Sequence, residues 1–161
     1  FKRSVSPLCE SALRGGAASL WSGEDRPNRV YGTEQVDFSV ANGGTVEYSF
    51  ESNTEINSVH IVFDSDLDRE TLPGHVAEKY HATRGNVLLD SPQTHLPTTL
   101  CKSFRLTAAT ADGEVELLSV DNNIKRAYHV PVGKSVTALK LQILSNRGDS
   151  DRTNLISFDF N

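Results

Sequence analysis

The chain of 161 residues has no methionine, one tryptophan and two cysteines. It starts at Phe1. A start codon leaves a methionine unless it is processed, so the chain reads as a piece of a longer polypeptide. Cys9 and Cys101 lie far apart. There is no CxxC and no Cys/His cluster, which excludes the usual zinc and thioredoxin-type motifs. Nothing marks an oxidising compartment, so two free, partly buried thiols are the preferred reading. A Cys9–Cys101 disulfide is the alternative. No apolar run approaches the ~18 residues of a spanning helix, so no membrane partner is expected. No basic stretch precedes an apolar one, so no signal peptide is visible, and location stays open. Formal charge is −5, from 16 Lys and Arg against 21 Asp and Glu. Arg26, Arg29, Lys102, Arg105, Lys125 and Arg126 are interleaved with other residues and form no basic run. This argues against a nucleic-acid partner. GxSxG, a P-loop, GxGxxG and HExxH are all absent, so no standard nucleophile, phosphate cradle or zinc-protease helix is present.

What is present is strand pattern. Val46, Tyr48 and Phe50 alternate with Glu47 and Ser49. The stretch 56–63 carries two apolar sets, as a strand covered on both faces does. Further alternating blocks follow at 101–108, 114–120, 125–131, 137–144 and 155–160, with Ile156, Phe158 and Phe160 as one face of the last. Residues 34–40 read as extended, and Asn42-Gly43 reads as a hairpin turn. About eight strands in series predict an all-β, antiparallel jelly-roll sandwich. Val46, Phe50, Phe63, Phe104, Leu106, Leu141, Phe158 and Phe160 are the expected core. Residues 1–22 differ from the rest. Pro7 after Ser6, the spacing of Leu8, Ala12 and Leu13, and the stop at Gly15-Gly16 suggest a helical turn or two. They read as a linker, with the sandwich domain at 23–161.

Between Ser65 and Thr99 no strand pattern is visible. About 35 residues is far beyond an ordinary loop, and such loops carry function or an interface. This one holds Arg69, His75, Tyr80, His81 and Arg84, with Val87-Leu88-Leu89 as an apolar anchor. Those five residues are the candidate ligand-binding set.

The order of several short motifs resembles a known domain. Phe63-Asp64-Ser65-Asp66-Leu67 ends a strand and precedes the long loop. Then come Leu96-Pro97, Lys102, Phe104-Arg105-Leu106, Asp112-Gly113, Asn122-Asn123, Arg126 and Leu139-Lys140-Leu141. From about Gly23 onward this resembles the discoidin-like, galactose-binding-like C-terminal domain of bacterial FAD-dependent oxidoreductases. The resemblance implies a non-catalytic accessory domain that meets a parent catalytic domain or protein partner. FAD would then bind a part of the polypeptide absent here, and this chain would hold no cofactor. The alternative, of another class, is a free-standing carbohydrate-binding module. A sugar site in such folds sets an aromatic platform beside hydrogen-bonding side chains. Trp21, Tyr31, Tyr80, His75, His81 and Arg84 are candidates, with packing as the plainer reading for Trp21 and Tyr31.

Two metal patterns can be weighed. Asp64, Asp66 and Asp68 have EF-hand spacing, but Arg69 stands where the glycine is needed and His75 where the glutamate is needed. Relatives of this fold hold a structural calcium through an early aspartate loop and a glutamate in the final strand. Asp25 fits the first place, and Ser157 stands in the second. Asp25 is therefore the candidate metal ligand, for a weak calcium site. Arg147-Gly148-Asp149 matches an integrin-binding triplet, but a polar turn between the last two strands explains it better.

Overall fold

The computed structural model describes residues 2–5, 9–11, 20–21, 25, 38–65 and 96–161. Its eight strands are β1 (Lys2–Val5), β2 (Cys9–Ser11), β3 (Phe38–Ala41), β4 (Thr45–Phe63), β5 (Cys101–Thr110), β6 (Gly113–Val120), β7 (Ala127–Asn146) and β8 (Arg152–Phe160).

Two long strands organise the fold. The first half of β4, Thr45–Ser49, pairs antiparallel with Ala138–Gln142 of β7, and its second half, Thr54–Val62, pairs with Ala127–Val136. The register slips between these halves, at Ser49/Thr54 and again at Ile56/Ser58. On one side of the bend β1 borders β4, while β5 and then β6 continue from β7. On the other side β8, β3 and β2 continue from β4. The ladder therefore doubles over into two layers, ordered β1-β4-β7-β5-β6 and β7-β4-β8-β3-β2. Strands that switch layers through bulges make the corners of such sandwiches. In β7 the bend holds Pro131 and Gly133 at φ 56°, a left-handed conformation that glycine adopts without a Cβ clash.

This corrects the sequence reading in four places. The blocks 45–50 and 56–63 are one bent strand, as are 125–131 and 137–144, because bulges carry the ladder across the residues that interrupt alternation. Asn42-Gly43 does make a turn, with Gly44 N–H bonded to Ala41 O at 2.8 Å and Gly43 at φ 84°. It joins no hairpin, since β8 lies between β3 and β4. Leu155, not Ile156, joins Phe158 in the core: Ile61 faces Phe158 while Phe63 faces Leu155, so one extra residue bulges out between them. Finally, Cys9–Ser11 is a strand on the edge of β3, not a helical turn. A lone turn costs its nucleation entropy, whereas an open sheet edge offers ladder bonds.

The core draws on both layers. Val46, Phe63, Phe104, Leu106, Leu141 and Phe158 are fully buried, as expected. Phe63 packs on Phe104 at 4.9 Å between ring centroids, and Tyr48 on Phe158 at 4.9 Å. The Tyr48 hydroxyl donates to the Phe158 carbonyl, joining the two layers through the core. Phe50 and Phe160 are only half-buried, at the rim.

The connections 42–44, 121–126 and 147–151, with the described ends 64–65 and 96–100 of the long one, gather at one end of the sandwich. Backbone bonds stitch them: Asn42 N–H to Asp151 O at 2.7 Å, Asp64 N–H to Asn154 O at 3.0 Å, Asn123 N–H to Lys102 O at 2.8 Å and Arg147 N–H to Leu100 O at 3.0 Å. The other end carries the strand bends, the Ala111-Asp112 turn and Asn161, whose N–H bonds Ser58 O at 3.1 Å.

Candidate functional site

Asn123 anchors the loop-bearing end. It is 1% exposed, and its side chain makes three hydrogen bonds. Nδ2 donates to Cys101 O at 2.8 Å, and Oδ1 accepts from Lys125 N–H at 2.6 Å and from the Tyr128 hydroxyl at 2.8 Å. Its carbonyl accepts from Arg147 Nε at 2.8 Å and also from Arg147 Nη2, which donates to Asn122 Oδ1 at 2.7 Å as well. Arg147 therefore lies along the 121–126 connection, one edge of its guanidinium held by protein acceptors. This confirms 147–151 as a polar turn. An arginine committed in this way is not displayed as the integrin reading requires.

Gly148 lets this turn close on the returning end of the long connection. A Cβ there would stand 3.0 Å from Thr98 O and 3.1 Å from Thr98 Cβ. Asn146 shapes the same turn, donating through Nδ2 to Arg152 O and accepting from Gly148 N–H at 3.0 Å. Arg152 reaches β3, with Nε 2.9 Å from Ser39 Oγ and Nη2 3.2 Å from Ser39 O. Between these elements lies a cleft of about 550 Å³ lined by Ser39, Thr98, Thr99, Asn146, Arg147, Gly148, Asp149, Ser150, Arg152 and Asn154. Every side chain in that lining is a hydrogen-bonding one. Thr99 Oγ1 is buried and has no hydrogen-bond partner among the described residues, a satisfiable group awaiting one.

A second shallow cleft lies on the outer face of β5, β6 and β7. It is lined by Arg105, Thr107, Glu114, Glu116, Lys140 and Gln142. Arg105 pairs with Glu116 at 3.0 Å and Lys140 with Glu114 at 3.2 Å. The Thr107 hydroxyl, and then Lys140, hold the Glu114 carboxyl below the usual glutamate range. These exposed, mutually paired charges make a solvated sheet face.

Asp25 lies over the outer face of the other layer. Its Oδ2 is 2.9 Å from His60 Nε2, and its carbonyl accepts from Arg126 Nη2. A calcium ion takes 6–8 oxygens. Here one carboxylate oxygen faces an imidazole and the carbonyl faces a fixed cation, leaving only the buried Oδ1 without a partner. Ser157, which stands in the place of the glutamate, bonds Asp159 Oδ2 at 2.9 Å. Among the described residues no group of three His, Cys, Asp or Glu could hold a metal. The described residues around Asp25 therefore assemble no calcium-binding set.

Trp21 serves packing. It meets Phe160 edge-on at 4.4 Å and Tyr48 at 6.1 Å, closing the core near the end of β8, away from the loops. It remains 38% exposed. Cys101 is a free, buried thiol, so the disulfide alternative falls. Burial pushes it from its ordinary 9.0 up to about 12, against a smaller lowering by a backbone hydrogen bond from Ser103.

Arg69, His75, Tyr80, His81, Arg84 and Tyr31 lie outside the described residues. Sequence reasoning missed Thr99, Asn146 and Arg152, and set Arg147 aside as part of a turn. Asn123 entered it only as part of the Asn122-Asn123 resemblance. The available signal was the density of Asn, Asp, Ser and Arg over 146–154, in a chain otherwise built of alternating strands.

No family model and no curated protein matches the chain. Solved structures do. The GH31 CBM32-2 structure bound to GalNAc aligns with a TM-score of 0.63 and 11% identity, over 99% of this chain and 96% of that one. The family 32 carbohydrate-binding module of C. perfringens NanJ, in complex with galactose, aligns at 0.55 and 9% identity, over 99% and 91%. A Streptococcus pneumoniae fucose binding module aligns at 0.57 and 12%, over 99% and 89%. The chain is thus an all-β, antiparallel, galactose-binding-like β-sandwich of the kind seen in these modules.

Proposed function

We propose that this chain is a non-catalytic carbohydrate-binding module that receives its ligand at the loop-bearing end. The observation that carries this is the cleft at 98–99 and 146–154. Two connections, 96–100 and 147–151, meet β3, β8 and the end of β7 there on a lining made of hydroxyls, amides and charges, the groups that read sugar hydroxyls. The fold supports the reading, since its compared examples include structures with GalNAc and galactose bound. The connection that leaves after Ser65 rejoins at Leu96 on this same end. Its Arg69, His75, Tyr80, His81 and Arg84 are proposed as further ligand contacts, with Tyr80 as the stacking platform.

The narrower reading, an accessory domain docked on an FAD-dependent oxidoreductase, rests on the motif resemblance from Phe63 to Leu141. In that setting FAD would bind elsewhere in the polypeptide, and this chain would supply an interface. The compared structures favour the carbohydrate reading. Titration calorimetry of the intact chain against neutral and acidic mono- and oligosaccharides tests it. Saturable binding by at least one class is expected. Blank titrations throughout would overturn it.

A further inference from the structure

We infer that the cleft selects an acidic saccharide, a sugar bearing a carboxylate such as a uronic or sialic acid, with Arg147 receiving that carboxylate. The inference rests on the carbohydrate-binding reading and goes one step further, to ligand class.

Three features of the cleft converge on it. The first is its lining, which offers no aromatic ring and no purely aliphatic side chain among the described residues. A neutral sugar gains much of its affinity by stacking an apolar face on a ring. The described lining offers hydrogen bonds and charge, to which the Tyr80 platform proposed above would add stacking. The second is the pose of Arg147. Nε and Nη2 are occupied by Asn122 and Asn123, while Nη1 has no protein partner among the described residues. Asn123 is itself pinned by three side-chain bonds. The guanidinium is therefore fixed before a ligand arrives, and a preorganised donor loses little entropy on binding. Charge-assisted bonds to a carboxylate are the strong class of hydrogen bond. The third is local charge. Among the described residues of the lining, Arg147 and Arg152 against Asp149 leave one net positive charge, in a chain that is −5 overall. Such a cleft draws anions to itself on a surface that otherwise repels them. Thr99 Oγ1 and Asp149 then serve the sugar hydroxyls. The cleft volume of about 550 Å³ lies within the range of small-ligand sites.

The test compares galacturonate oligomers and sialyllactose with their neutral counterparts, galactose oligomers and lactose, by calorimetry at neutral pH. The proteins are the wild type, Arg147→Gln, Arg147→Lys, Asp149→Asn and Thr99→Val. One charge-assisted contact predicts acidic ligands about tenfold to a hundredfold tighter than neutral ones. Arg147→Gln should erase that preference, and Arg147→Lys should keep part of it. Added salt should weaken acidic binding and leave neutral binding in place. Asp149→Asn should raise the preference, and it keeps the inference testable if Arg147→Gln fails to fold. Thr99→Val should weaken both classes by a few fold. Equal affinity for acidic and neutral sugars, or an acidic preference that survives Arg147→Gln, would overturn the inference and leave the carbohydrate reading standing. Absence of any saccharide binding would overturn both.

Discussion

Replacing Asn123 with alanine should be among the most costly polar substitutions in this chain, and the cost can be worked bond by bond. The side chain satisfies three groups: the Cys101 carbonyl, the Lys125 amide and the Tyr128 hydroxyl. The Cys101 carbonyl belongs to a residue that is fully buried, so water cannot easily replace the lost donor. An orphaned buried acceptor costs about 1–3 kcal/mol. The other two groups are part-buried and can rehydrate, at about 0.5–1 kcal/mol each. The sum is about 2–5 kcal/mol. For a chain of this length each kcal/mol lowers the midpoint by about 2–4 °C, so a fall of about 4–20 °C is expected. Asn123→Asp should cost at least as much, because it turns a carboxylate oxygen toward the Cys101 carbonyl. Asn122→Ala, which removes one exposed bond to Arg147, should cost under about 1 kcal/mol. Thermal and urea unfolding at constant m-value give the numbers. If Asn123→Ala stays within about 0.5 kcal/mol of wild type, or matches Asn122→Ala, the loop is not held by this side chain and the account of the site fails.

Two further outcomes follow from the same geometry. With its thiol pushed up to about 12, Cys101 should resist alkylation in the folded chain at neutral pH and react only on unfolding; its raised value stabilises the fold below pH 9 and loses that contribution as pH climbs from 9 toward 12, so rapid native-state labelling, or a pH profile of the unfolding midpoint across that window that Cys101→Ala leaves unchanged, would contradict the burial. Because Arg126 and His60 engage Asp25, unfolding midpoints in calcium and in chelator should agree, and a calcium-induced rise above about 3 °C, roughly 1 kcal/mol of binding, would show a site that these residues do not provide.

Much of the fold was legible because β-alternation is local. Val46 and Tyr48, Phe104 and Leu106, and Leu139, Leu141 and Ile143 each announce a buried face through a period of two. That period needs no knowledge of the partner strand. The count of about eight agrees with the eight described strands only because the two merged pairs are offset by β1 and β2, which alternation did not reveal. What alternation cannot tell is whether an interruption is a turn or a bulge. Pro131-Val132-Gly133 looks like the end of one strand, yet the ladder to β4 resumes at Lys134. The same blindness put Ile156 with Phe158, since a bulge shifts every side chain beyond it to the other face. For the site, the sequence singled out the span 65–99 by its length and chemistry, and could not see that Thr98 and Thr99 at its end would line a described cleft together with residues of 146–154.

The sequence by itself determined that this chain would be an antiparallel β-sandwich with a solvated, acidic surface and no standard catalytic motif, because composition and side-chain period act within a few residues. Only the tertiary structure decided that β3 and β4 flank β8 and do not pair, that Cys9–Ser11 joins an edge, and that Arg147 lies along the carbonyl of Asn123, 24 residues away. Those outcomes depend on which backbone groups remain unpaired once the long strands have bent and which distant side chains arrive to satisfy them. A buried carbonyl or amide must find a partner somewhere, but nothing in its own neighbourhood of sequence says where.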